Sequence, residues 1–128
     1  MSIRLQIRLD SPVPAYRQLV DQLRTFLVDS TLRPDDFLPP VRTLAIELGV
    51  HFNTVAEAYR TLAAEGWLEI TRGRGARVLA REAPKADQAS IHEFRDRLRR
   101  MVAEMRAHGV PAARILKELR EAEEGIQS

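Results

Sequence analysis

The stretch that most constrains this chain is residues 41–66, VRTLAIELGVHFNTVAEAYRTLAAEG, where two short helical patterns stand either side of a brief break. In the first, from about Val41 to Leu48, Leu44, Ala45 and Leu48 share one face. Gly49 ends it, because glycine supplies the backbone freedom that a tight turn needs. In the second, Val55, Ala58, Tyr59 and Leu62 recur at helical spacing and present one stripe to a core. Asn53, Glu57, Arg60 and Thr61 occupy the opposite stripe, with Ala56 among them. Two short helices so closely joined, the second amphipathic, are the sequence form of a helix-turn-helix.

The flanking segments complete a known arrangement. Residues 3–9, IRLQIRL, alternate strictly, which is the period of a half-buried strand. Its partner is open: the later hairpin, or a second copy of the chain. Ser11-Pro12-Val13-Pro14 then starts a helix in which Tyr16, Leu19, Val20, Leu23 and Leu27 keep helical spacing to about Val28. Residues 29–36 are turn-rich, and Pro39 and Pro40 hold Phe37-Leu38 extended. After Gly66, residues 67–71 and 76–80 alternate around RGRG, a hairpin with a glycine-arginine tip. Three helices closed by a β-hairpin make a winged helix-turn-helix.

The expected fold is therefore mostly α with a small β component. Residues 1–81 form a winged helix-turn-helix DNA-binding domain, 82–89 a polar connector, and 90–128 a short two-helix dimerisation region. In that tail Ile91, Phe94, Leu98, Met101 and Met105 step by 3, 4, 3 and 4, an a/d seam. Pro111 opens a second helix whose Ile115, Leu116 and Leu119 share a face. Two such helices make little core alone. The seam favours a second copy, so Ile91, Phe94, Leu98, Met101, Met105, Ile115 and Leu119 are the expected dimer interface.

Charge distribution narrows the function further. The formal net charge is only +2, yet residues 72–81 hold Arg72, Arg74, Arg77 and Arg81 with no acid. From Glu82 onward nine basic residues balance nine acidic ones, so the excess lies N-terminal to the tail. There is no cysteine, and His51, His92 and His108 lack i,i+4 pairing, which argues against disulfides and metal. No Ser/His/Asp set stands out, so neither an enzyme nor a cofactor is expected. No apolar run reaches the ~20 residues of a membrane span and no secretory segment is visible. A cytoplasmic protein is expected, without membrane association.

Taken together, LPPVRTLAIELGV (38–50), NTVAEAYRTLAAEGWLE (53–69), RGRGARV (72–78) and the upstream SPVPAYRQLVDQLRTFLV (11–28) resemble the DNA-binding domain of the GntR family of bacterial transcription regulators, particularly its YtrA subfamily. The brief two-helix tail is similar to that subfamily too. The resemblance implies a homodimeric regulator, usually a repressor, bound to a palindromic double-stranded DNA operator, with ABC-transporter genes as neighbours. The sequence departs from the family pattern at several places. Pro40 replaces a small N-cap, and Ser30 and Asp35 stand at turn positions commonly held by glycine. Phe52 and Ala56 occupy positions where relatives place base-reading arginines, which removes the strongest guanine readers.

The expected DNA contacts are Arg42, His51, Phe52, Asn53, Thr54, Arg60, Arg72, Gly73, Arg74 and Gly75. Arg42 opens the second helix, where guanidinium and helix dipole both favour phosphate; its bland alternative is an ion pair with Glu47. Asn53 and Thr54 open the third helix and suit base edges, or else cap it. His51 caps or contacts phosphate, and Phe52 meets a thymine methyl or packs inward. Arg60 reaches phosphate or pairs with Glu57. The Arg72–Gly75 tip suits a narrow minor groove. The alternative function is a winged-helix protein-interaction module whose tail zips to a partner helix. A small-molecule effector has room at a dimer interface, but none is identified.

Overall fold

In the computed structural model, which describes residues 3–125, the chain divides into two compact units at the Arg81–Glu82 junction. The first contains α1 (Ala15–Val28), β1 (Phe37–Leu38), α2 (Val41–Leu48), α3 (Phe52–Ala64), β2 (Leu68–Thr71) and β3 (Gly75–Val78). The second contains α4 (Gln88–Ala107) and α5 (Ala112–Glu124). The fold is mostly α with a small β wing, as the hydrophobic periods require.

Leu19, Val20, Leu23 and Leu27 of α1 meet Val55, Ala58, Tyr59 and Leu62 of α3 in one core, with Leu44 and Ala45 of α2. Gly49 adopts φ 70° and ends α2, while the Val50 N–H returns to the Ala45 carbonyl at 3.0 Å. The three strands run in the order β1-β3-β2, all antiparallel. Leu38 pairs with Ala76, and Leu68 with Val78. Asp35 N–H donates to Val78 O and Val78 N–H to Asp36 O, both at 2.8 Å, so the turn before β1 is tied to the hairpin.

Tyr59 is fully buried, and its hydroxyl donates to the Pro39 carbonyl at 2.7 Å. This bond fastens the proline pair ahead of α2 to the middle of α3. Burial, reinforced by the charge of Glu47, pushes the phenol well above its usual pKa, so it remains a donor. Tyr59→Phe leaves that carbonyl without its partner. Denaturant unfolding is expected to show a loss of about 1–2 kcal/mol.

The N-terminal segment corrects one expectation. Residues 3–9 alternate in burial as anticipated, with Ile3, Leu5 and Ile7 packed on the core, but they form no strand. Leu9, counted with the apolar set, is 77% exposed. At two of its residues the segment's backbone is bonded by side chains of α1. The Gln22 amide accepts from Gln6 N–H at 3.0 Å and donates to Gln6 O at 2.7 Å. Gln18 does the same for Arg8 at 2.8 and 2.9 Å. Four residues of helix advance about 6 Å and two of extended chain about 6.6 Å, so i,i+4 glutamines match alternate residues. Two amides thus replace a neighbouring strand.

Glu65 closes α3 against α1. The Arg24 guanidinium donates to its two oxygens at 3.0 and 2.6 Å, and this bond chiefly holds the Glu65 carboxyl below its ordinary value of 4.5. The folded form therefore releases a proton more readily than the unfolded chain. The pair's contribution is complete above about pH 4.5 and fades as acid protonates Glu65. Both side chains are about a third exposed, which limits that contribution to under ~1 kcal/mol. In Glu65→Gln the fall in thermal midpoint below pH 4.5 should be shallower than in the wild type.

In the second unit, Asp87 caps α4 by accepting from Ser90 N–H at 2.7 Å, so the helix starts at Gln88, two residues ahead of the expected Ser90. Gly109 and Pro111 separate it from α5.

Candidate nucleic-acid interface

His51 decides how α3 begins. Its Nδ1 accepts from the Asn53 N–H at 3.0 Å, which places the ring proton on Nε2 and makes His51 the cap. The capping role open to Asn53 and Thr54 is therefore filled by another residue. Thr54 N–H donates to the His51 carbonyl at 3.0 Å, and Thr54 is half-buried. Asn53 is exposed, and its side-chain amide has no hydrogen bond among the described residues.

Phe52 neither packs inward nor stands alone. It is 36% exposed, with the Arg42 guanidinium 4.3 Å from its ring centroid and the His51 ring stacked at 4.5 Å. Arg42 makes no ion pair among the described residues, so the alternative pairing with Glu47 is absent. Arg60 likewise is exposed and unpaired with Glu57.

The arginine run at 72–81 splits into two pairs. Arg77 lies 2.9 Å from Asp35 and 3.4 Å from Glu69, and those acids raise its pKa. Arg81 donates to the Glu65 carbonyl at 2.8 Å and lies over Trp67 at 4.4 Å. Both serve the fold. Arg72 and Arg74, at the tip, are exposed without ionic partners among the described residues.

The two tip glycines also differ. Gly73 is exposed at φ 79° with open space where a side chain would lie. Gly75 is buried, and a Cβ there would fall 2.0 Å from the Leu38 carbonyl oxygen. Its lack of a side chain answers to packing against β1 and not to access by a ligand.

A groove of about 630 Å³ joins the wing to the helix-turn-helix. Arg74 lines it with Pro39, Pro40 and Leu44 at the start of α2, and so does Arg4. Arg42, two residues after Pro40, bridges to Phe52. The start of α2 and the wing tip thus carry exposed guanidinium groups without ionic partners among the described residues, and the start of α3 adjoins them through Phe52. Arg4 was not among the expected contacts. Alternation shows that it faces away from Ile3 and Leu5, but its nearness to Arg74 comes from the tertiary fold.

Among the described residues no group of three or more His, Cys, Asp or Glu is placed to hold a metal, and no helix is long and apolar enough to cross a membrane. The expected dimer contacts mostly lie on the surface of the single chain. Ile91, Phe94, Leu98, Met101 and Leu119 are exposed, and Met105 is half-buried. Ile115 is the exception: it is 4% exposed and already covered by its own chain.

Three helices, a wing and a basic tip define a winged helix-turn-helix DNA-binding regulator. The sequence model of bacterial regulatory proteins of the gntR family matches residues 15–78, half of the chain, from α1 through β3. The chain is 27% identical over 117 residues to the HTH-type transcriptional repressor YtrA of Bacillus subtilis, covering 91% of this chain and 90% of that protein. It is 29% identical to YtrA from Sulfolobus acidocaldarius, a GntR-family transcription factor, with a TM-score of 0.54 over 95% of this chain and 98% of that one. A transcriptional antiterminator from Listeria monocytogenes has a similar fold at a TM-score of 0.74, 23% identity, and 98% and 95% coverage. The chain belongs to the GntR family of bacterial regulatory proteins.

Proposed function

We propose that the chain is a homodimeric repressor of the YtrA subfamily that binds a palindromic operator in the cytoplasm. The observation that carries this reading is a set of side chains on adjoining elements with no ionic or hydrogen-bond partner among the described residues: Arg42, Asn53, Arg60, Arg72 and Arg74. The likeness to the two YtrA proteins over nearly the whole chain supports the subfamily.

In this reading α3 enters the major groove, with Asn53 and Thr54 at base edges and Arg42, Arg60 and the His51 Nε2–H toward phosphates. Arg72, Gly73 and Arg74 enter the adjoining minor groove, where narrow width favours arginine. Gly75 has no direct part. The copies meet along Ile91, Phe94, Leu98 and Met101 of α4, a helix of 20 residues none of which is buried in the single chain. Met105 and Leu119 extend that surface, and Ile115 supports it from within. Control of ABC-transporter genes is the regulatory role that the subfamily implies.

Selection of duplexes from a randomised pool by the purified chain tests the reading. The selected sequences should be two-fold symmetric, with half-site centres about 10 base pairs apart or a multiple of that. Two chains should bind each duplex in sedimentation. Recovery of one unpaired half-site bound by a single chain would contradict the dimeric arrangement.

A further inference from the structure

We infer that Phe52 is a positioning residue for Arg42: its ring holds the guanidinium ready for a DNA phosphate and does not itself touch a base. The inference rests on the DNA-binding reading above and gives one of its residues a different task.

The geometry points this way on three counts. First, the Arg42 guanidinium carbon lies 4.3 Å from the Phe52 centroid, within the range of a cation–π contact, and no carboxylate competes for it among the described residues. Second, the ring itself is fixed: His51 stacks on it at 4.5 Å with 28° between the planes, and His51 is held by its bond to Asn53 N–H. An arginine side chain loses up to about 2 kcal/mol of rotamer freedom when ordered, and a shelf that orders it beforehand removes part of that cost from binding. Third, a ring is not a strong hydrogen-bond acceptor, so contact with it leaves most of the five guanidinium N–H donors free for phosphate oxygens. Arg42 on α2 and Phe52 on α3 are ten positions apart, so the contact also couples the two helices of the motif.

The test uses the full chain, with Phe52→Leu as the control for bulk and Phe52→Tyr as the control for the aromatic face. In the free protein the Arg42 δ protons should be displaced upfield by the ring current in proton NMR, and the displacement should vanish in Phe52→Leu. Absence of that displacement in the wild type overturns the inference whether or not DNA is bound. On the duplex selected by the wild type, Phe52→Leu should weaken binding about five- to tenfold and Phe52→Tyr less than about twofold. The thermal midpoint of Phe52→Leu should fall by no more than about 5 °C, and circular dichroism should show the fold intact. Combined with Arg42→Ala, Phe52→Leu should add less than about twofold. An equal loss on the Arg42→Ala background, or a changed base preference in Phe52→Leu, would mean that the ring contacts DNA directly and would overturn the inference. A normal NMR displacement with no affinity for any duplex would overturn the DNA-binding reading, and with it the task given to the pair.

Discussion

Gly75→Ala should be the most damaging single substitution in the wing, lowering stability by at least about 3 kcal/mol. Two costs combine. The residue sits at φ 88°, where a side chain costs about 1–2 kcal/mol. The new Cβ would also lie 2.0 Å from Leu38 O and 2.8 Å from the Pro39 carbonyl carbon, both backbone atoms with no rotamer to yield. The strand would have to move away from β1, and with it the Leu38–Ala76 pairing. For a unit of this size the thermal midpoint should fall by more than about 12 °C. Gly73→Ala supplies the contrast. It has the same backbone sign at φ 79° but open space around it, so only the conformational cost of about 1–2 kcal/mol applies. Calorimetry of the two variants separates packing from backbone strain. Equal, small losses would mean that β1 does not press on the hairpin as described.

Asn53→Ala should change which DNA the chain prefers, with little effect on its stability. The α3 cap is His51, so removing the Asn53 side chain leaves no orphaned N–H behind. Alanine is also the better helix former. A bidentate contact from asparagine to adenine is worth about 1–3 kcal/mol of discrimination, which should disappear at one position of each half-site. Arg42→Ala should instead weaken selected and random duplexes about equally and lower the salt slope by about one. Competition binding with single base-pair variants of the selected duplex measures both. If Asn53→Ala lost affinity uniformly, its role would be phosphate contact.

Much of the fold was legible because its elements announce themselves locally. Gly49 and the proline pairs bound α2 and its approach, and the apolar stripes of α1 and α3 identify the buried faces of the core. Residues 3–9 depart from the expected strand because alternation reports burial and not pairing. The signal that would have helped was on another element, in Gln18 and Gln22 one turn apart on α1. The site was legible in outline and blurred in assignment. A run of four arginines does not reveal that Arg77 and Arg81 answer to Asp35, Glu69, Glu65 and Trp67, because those partners lie across the fold. Gly75 illustrates the same limit. From sequence it is one of two glycines in a turn, and only the approach of Leu38 shows why it differs from Gly73.

In the proposed function the starts of α2 and α3 and the wing tip meet DNA together as one basic surface. The salt dependence of binding tests it most directly. Equilibrium constants for the selected duplex, measured between 50 and 200 mM salt (on the order of the range over which phosphate contacts dominate), should fall steeply for the wild type. In Arg72→Ala/Arg74→Ala the slope should be smaller by about two units, with the fold intact by circular dichroism. An unchanged slope in that variant, or a wild-type chain that binds selected and random duplexes alike at every salt concentration, would contradict the claim.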